Sequence, residues 1–232
     1  MRALRAIARE PSQHPASGGF GTRMERLGLT AAEIYAISDA SLARIRSWPG
    51  RETIRLAIAL VDSRGFDARQ VAYDLLWRHR GALEALQPAD LGLLGRGMDN
   101  WATVDTFACA VSGPAWRMRR IDDPRVHRWA HSPDRWWRRA ALVSTVPLNL
   151  KSRGGTGDTP RTLALCEVLV DDQDDMVEKA LSWALRELAK RDAPAVAAFL
   201  ERFRARIMPR VVREVGTKLA TGVKRAGRYS RG

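Results

Sequence analysis

Trp101 and Asp105 stand four residues apart in Asp99-Asn100-Trp101-Ala102-Thr103-Val104-Asp105. On a helix that spacing stacks an indole and a carboxylate on one face, one turn apart. Two later segments carry partners of matching chemistry: Arg135-Trp136-Trp137-Arg138-Arg139-Ala140-Ala141-Leu142, and Glu178-Lys179-Ala180-Leu181-Ser182-Trp183-Ala184-Leu185-Arg186-Glu187. Indole faces attract cations by about 0.5 to 2 kcal/mol. One carboxylate can stabilise an oxocarbenium-like sugar and guide a water to it. An arginine holds a phosphate through charge-assisted hydrogen bonds. An N-alkylated purine is itself positively charged, so its glycosidic bond is already weak and the departing base needs no general acid. The chemistry these residues suit is recognition and release of a cationic base in DNA.

Such a set works only on rigid elements, and the chain reads as helices throughout. Thr30-Ala31-Ala32-Glu33 fits a capping box at a helix start. Ile54, Ile58 and Val61 keep helical spacing, as do Val71 and Leu75. Pro49-Gly50, Ser63-Arg64-Gly65 and Gly95-Arg96-Gly97 read as turns. Further helices are expected over 99–112, 124–131, 133–147, 160–170, 174–191, 193–206 and 209–222, and strand-like alternation never persists. Pro11 to Gly21 reads as a loop after a short first helix, and Lys151 to Asp158 as the most flexible interior loop. Helix pairs recur at about 30 to 45 residues, the range of HEAT-type repeats, in which stacking buries faces that one pair cannot bury alone. The expected fold is all-α: a single HEAT-like helical-repeat solenoid over 1–232, with 223–232 a flexible basic tail. A compact irregular helical bundle is the alternative architecture.

The 232 residues are 45% hydrophobic, so the chain is globular, and they carry a formal charge of +13 with a sequence pI near 11.0. That surplus favours a polyanionic partner, nucleic acid before an acidic membrane surface. Genomic base composition exchanges Lys for Arg but creates no surplus by itself. Cys109 and Cys166, the two cysteines, sit in apolar helical patterns and read as buried thiols of a reducing compartment. Met1 to Ala8 lacks the apolar core of a secretory signal but has the Arg-rich, acid-poor look of an organelle transit peptide. No stretch approaches the roughly 20 apolar residues that span a bilayer. A monomer of the cytoplasm, nucleoid-associated when bound to DNA, is the expectation.

Trp101-x-x-x-Asp105, then Trp136-Trp137-Arg138-Arg139-Ala140-Ala141, then Lys179 to Glu187 resemble, in order and approximate spacing, blocks of the AlkD-type DNA alkylation repair glycosylases. The resemblance is good from about residue 50 to 206 and weak before it; the last block is the most specific. It implies a HEAT-like superhelix whose concave face holds duplex DNA, and excision of N3- and N7-alkylated purines without flipping the lesion into a pocket. Asp105 matches the catalytic aspartate of that family, Trp101 and Trp183 match aromatics lining its cleft, and Arg139 matches its motif arginine beside the lesion. The sequence departs at Asn100, where a second tryptophan commonly precedes the cleft indole, and at Trp137, where an aliphatic residue is usual.

Bland readings stand beside these. A helical Asp is usually a solvated or capping residue, Trp183 lies among Ala180, Leu181, Ala184 and Leu185 as a core side chain would, and adjacent Trp136 and Trp137 cannot share a face, so at least one belongs in the core. Arg138 and Arg139 likewise point apart, one as a surface charge. His127 and His131 are four apart but lack the HExxH carboxylate and any Cys cluster, so no metal or other cofactor is expected. Toward the C-terminus many arginines and lysines face only Glu201 and Glu214, an amphipathic helix with a cationic outer face. Arg138, Lys179, Arg186, Arg210 and Arg213 are the candidate phosphate contacts. The reading is a monofunctional alkylpurine glycosylase acting on double-stranded DNA. No lysine in the candidate site points to Schiff-base chemistry, hence no lyase activity. A non-catalytic HEAT-repeat module for branched or distorted DNA is the second reading, and a protein-interaction solenoid the third.

Overall fold

The computed structural model describes residues 21–79 and 81–223. The expected first helix, nearly all of the Pro11–Gly21 loop and all but the first residue of the basic tail lie outside them. Every regular element among the described residues is helical, apart from an isolated parallel bridge between Glu25 and Gly65. The chain divides between Asp122 and Asp123 into two compact units.

The first unit holds α1 (Ala31–Ile45), α2 (Gly50–Asp62), α3 (Phe66–Arg78), α4 (Pro88–Gly95), α5 (Trp101–Phe107), a π-helical turn (Ala108–Ser112) and α6 (Gly113–Arg117). The Thr30 capping box forms as expected: Thr30 accepts from the Glu33 N–H, and Glu33 accepts from the Thr30 N–H. α3 is the central helix, packed on α1, α2, α5 and the π turn, and it is buried nearly all round. Gly50 begins α2 where a Cβ would collide with the Gly81 carbonyl, so that crossing needs glycine. The short α4 escapes a periodicity reading because Gly92 and Gly95 dilute its apolar pattern; Pro88 in its first turn and a Gln87–Asp90 capping box start it.

Two buried polar residues of α3 hold the end of α4. Arg69 donates to the carbonyls of Leu94 (3.3 Å) and Arg96 (2.7 Å), and the Tyr73 hydroxyl donates to Leu94 (2.7 Å). Burial pushes the Tyr73 phenol up to about 12 despite the neighbouring Arg69 guanidinium, so the hydroxyl stays a donor. The same tyrosine ring meets Phe107 of α5, centroids 5.7 Å apart. The chain from α4 through Gly97 (φ 70°) to α5 is thereby fixed from below.

The second unit holds α7 (Asp123–Ala130), α8 (Arg135–Val143), α9 (Val146–Asn149), a 3-10 turn (Lys151–Arg153), α10 (Thr159–Val168), α11 (Asp175–Leu188), α12 (Ala193–Arg202) and α13 (Pro209–Thr221). α11 is its core helix, packed on α8, α9, α10, α12 and α13. The expected helix over 133–147 breaks after Val143. The hydroxyls of Ser144 and Thr145 donate to the carbonyls of Ala140 and Leu142, offering the backbone a turn in place of continued helix. The 150–158 loop is a loop, but it is tied down: Arg191 donates to the carbonyls of Asn149 (2.7 Å) and Gly155 (3.0 Å).

A repeat is visible in how helices begin. Asp158-Thr159-Pro160 and Asp192-Ala193-Pro194, 34 residues apart, share nearly one backbone geometry (φ −145°, ψ 78° and 72°). Each Asp accepts a 3.1 Å bond from the N–H three residues on, and each Pro occupies an early position whose N–H has no helical partner. Ion pairs bridge similar separations, such as Arg138–Asp172 at 2.6 Å and Arg51–Asp90.

Candidate functional site

In the first unit, Asn100 caps α5: it is fully buried, and its Oδ1 accepts from the Thr103 N–H at 3.0 Å. This departure from the resemblance pattern is therefore a structural capping residue with no exposed surface to offer a ligand. The cap sets Trp101 at the first helical position, 36% exposed, and Asp105 one turn on, half-buried. Their buried neighbours Thr103, Val104 and Phe107 take the opposite face into the core.

Immediately beyond, the helix widens. The Gly113 N–H bonds to the Ala108 carbonyl, five residues back, and the helix expected to end at 112 continues through Pro114 to Arg117. Proline in a regular helix would clash with the carbonyl four residues before it, here Ala110; one wide turn accommodates it. Such turns occur often at functional sites. Cys109 lies in this turn half-buried, whereas Cys166 is fully buried and its thiol is pushed well up by desolvation. The expectation of two buried thiols holds for Cys166 and not for Cys109, whose turn is not enclosed on all sides.

Asp99, just before the cap, was read as part of the motif without a role. It clamps the segment ahead of α1: Oδ1 accepts from Thr22 Oγ1 (2.7 Å) and Asn100 Nδ2 (2.9 Å), and Oδ2 accepts from the Arg23 N–H (2.6 Å). Burial alone would raise this carboxyl. The bonds from the Arg23 backbone, Thr22 and Asn100, with the Arg23 charge, hold it below the usual carboxylate range.

In the second unit, Asp134 caps α8 by accepting from the Trp136 N–H. Arg139 is the inward member of the arginine pair: it is 6% exposed and donates to the Met176 carbonyl at the start of α11. Arg138 points elsewhere, donating through Nε to Asp172 and through Nη1 to the carbonyls of Ser132 and Pro133. Neither Trp136 nor Trp137 reaches the core, contrary to expectation; both are half-buried. Trp137 packs instead against Trp129 of α7 (centroids 5.0 Å), and Trp136 lies under the Arg135 guanidinium (4.7 Å), so each indole is covered by a surface neighbour.

Trp183 on α11 is half-buried rather than enclosed. Lys179, Arg186 and Arg210 are brought together around two carboxylates: Lys179 and Arg210 both reach Asp175 (2.6 and 2.9 Å), and Arg210 (3.3 Å) and Arg186 (4.0 Å) both reach Glu214. Burial pulls the Arg186 guanidinium down from its ordinary range, against the opposing charges of Glu214 and Glu187. Arg213 is exposed and has no carboxylate partner among the described residues. The C-terminal arginines do not face only Glu201 and Glu214. Arg202 pairs with Glu167 (2.8 Å) and Arg206 with Asp171 (3.0 Å), acids supplied from 35 residues earlier. His127 is half-buried on α7 and His131 exposed beyond it; no three potential metal ligands gather among the described residues. No helix among those residues is long and apolar enough to cross a membrane.

A profile of the DNA alkylation repair enzyme family matches residues 1–219. The chain belongs to the DNA alkylation repair enzyme family. Membership carries a repair role with DNA as the substrate. The fold agrees: a solved structure described as a predicted DNA alkylation repair enzyme from Enterococcus faecalis superposes with a TM-score of 0.70 at 19% identity, covering 85% of this chain and 90% of that one. The family's helical-repeat architecture is thus the architecture of this chain. No curated protein matches it.

Proposed function

We propose that this family member is a DNA glycosylase that hydrolyses the N-glycosidic bond of N3- or N7-alkylated purines in duplex DNA. The observation that carries the reading is the Trp101–Asp105 pair on α5: an exposed indole and a half-buried carboxylate one turn apart, held by a buried cap in a chain of this family. Asp105 stabilises the sugar cation that develops as the base departs and orients the attacking water. Trp101 offers an indole face to the cationic base or sugar, and Trp183 of the second unit is a candidate for the same chemistry. Arg139, kept in one orientation by its bond to Met176, holds the phosphate beside the lesion. The positive charge of the leaving group makes catalysis undemanding, and the resemblance to the AlkD-type enzymes implies that the lesion is excised without being flipped into a pocket. With no amine nucleophile in this set, the product is an intact strand bearing an abasic site. Arg213 is the candidate phosphate contact least committed to an internal carboxylate. Arg138, Lys179, Arg186 and Arg210 exchange internal partners for phosphate if they contact DNA.

The test is release of 7-methylguanine from methylated duplex DNA by the wild type and by Asp105→Asn. Release by the wild type, with loss of about a hundredfold or more in a folded, DNA-binding variant, supports the reading. Release by neither, with salt-sensitive duplex binding retained, moves the assignment to a non-catalytic DNA-binding module.

A further inference from the structure

The segment ahead of α1 is irregular yet fastened along its length. Thr22 and Arg23 are bound to both oxygens of Asp99, and the Met24 N–H donates to Thr22 Oγ1 at 3.1 Å. Glu25 exchanges backbone bonds with Arg64 (3.2 Å) and Phe66 (2.8 Å), and the Leu27 N–H donates to the buried Asp67 carboxylate at 2.7 Å. Met24 is buried between these ties. Two carboxylates and one backbone bridge thus fasten the 22–27 stretch, which has no helix of its own.

The upstream tie falls at one end of α5. Asp99 lies two residues before Trp101, and its Oδ2 is 2.6 Å from the backbone nitrogen of Arg23. That bond fixes the Arg23 backbone beside the start of the helix that carries Trp101 and Asp105. The Arg23 side chain itself is exposed; its charge acts on Asp99 through space, but it has no hydrogen-bonded or ion-paired carboxylate among the described residues. A long cationic side chain on a pinned backbone loses less freedom on binding than one on a free loop.

From this geometry we infer that Arg23 is a phosphate-binding residue of the candidate site, delivered by the Thr22–Asp99 clamp to grip the DNA backbone next to the lesion. Its partner is one phosphate of duplex DNA, engaged as a charge-assisted contact independent of sequence. The inference rests on the reading of α5 as the lesion-facing helix. It adds a residue from the part of the chain where the family resemblance is weakest.

Equilibrium binding of a labelled undamaged duplex across a salt series tests it in the full-length protein. Arg23→Gln is expected to flatten the slope of log K against log salt by about 0.9, the release accompanying one phosphate, and Arg23→Lys to restore it. A duplex with a neutral methylphosphonate at a single position beside a stable lesion analogue locates the contact: the wild type loses affinity there and Arg23→Gln does not. An unchanged slope in folded Arg23→Gln overturns the inference, as does equal sensitivity of both proteins to every methylphosphonate position. Binding is read separately from base release. A wild type that excises nothing while Arg23→Gln flattens the slope leaves Arg23 a DNA contact and removes the glycosylase reading. A wild type that excises while Arg23→Gln binds normally removes Arg23 alone.

Discussion

Ser182 donates a 2.6 Å hydrogen bond to Glu214 in the interior between α11 and α13, one residue before Trp183. Arg186 donates to the same hydroxyl at 3.3 Å, and Arg210 reaches the other oxygen of the same carboxylate. The bond is where the cationic face of the second unit is anchored to its core, because the arginines share a carboxylate whose remaining need is met by a buried hydroxyl.

Ser182→Ala should therefore destabilise the protein by about 1 to 3 kcal/mol, since it removes a buried hydroxyl donor from the Glu214 carboxylate. Glu214→Ala should cost about 3 kcal/mol, because Arg186 would stay largely buried with only Glu187 left to oppose its charge. Urea unfolding measures both. A Glu214→Ala protein as stable as the wild type would mean that Arg186 reaches water easily, and the anchoring role would be lost.

The pairs Arg202–Glu167, Arg206–Asp171 and Arg210–Asp175 each span 35 residues and advance four residues at a time along both partners. Cations engaged this way are partly neutralised before DNA arrives. Arg206→Gln is accordingly expected to leave the salt dependence of duplex binding nearly unchanged, whereas Arg213→Gln should flatten it by about 0.9. Equal flattening by both variants, measured by anisotropy, would show that the ladder opens to phosphate.

Much of the framework was legible in the chain. Turn residues marked the start of α2, its junction with α3 and the end of α4, and the Thr30–Glu33 box marked the start of α1, because those signals depend on neighbouring residues alone. What escaped was long-range pairing. Thr22 and Asp99 are 77 residues apart, and no local pattern joins them. Counting charges near the C-terminus likewise missed acids that the fold brings from 35 residues upstream. At the candidate site, periodicity placed Trp101 and Asp105 on one helix face but overlooked Asn100 as its cap and ended the helix at 112, short of Pro114. It also sent one of Trp136 and Trp137 to the core, where each instead found a partner at the surface.

Asp99 carries a pH dependence whose sign follows from its partners. Its folded carboxyl is held below the ordinary range, so its contribution is complete above the unfolded value near 3.9 and fades as pH falls through the lower folded value. The clamp on Thr22 and Arg23 should thus persist unchanged from neutral pH down to about 5 and loosen only in stronger acid. Hydrogen exchange of the Arg23 amide follows it directly. Loss of protection between pH 7 and 5 would contradict an ionised, low-lying Asp99.

The wide turn at Ala108–Ser112 makes the length of this stretch as consequential as its composition. Deleting one of its five residues would let the helix close into regular winding with everything beyond it nearly in phase with Asp105, because five residues of a wide turn sweep about the same arc as four of an α-helix. Trp116, now fully buried, would keep its face of the helix, but Pro114 would meet the carbonyl that the extra residue now moves aside. A chain one residue shorter here keeps its acid and its anchor on the same faces only where Pro114 is replaced as well, so the extra residue and the proline stand or fall together.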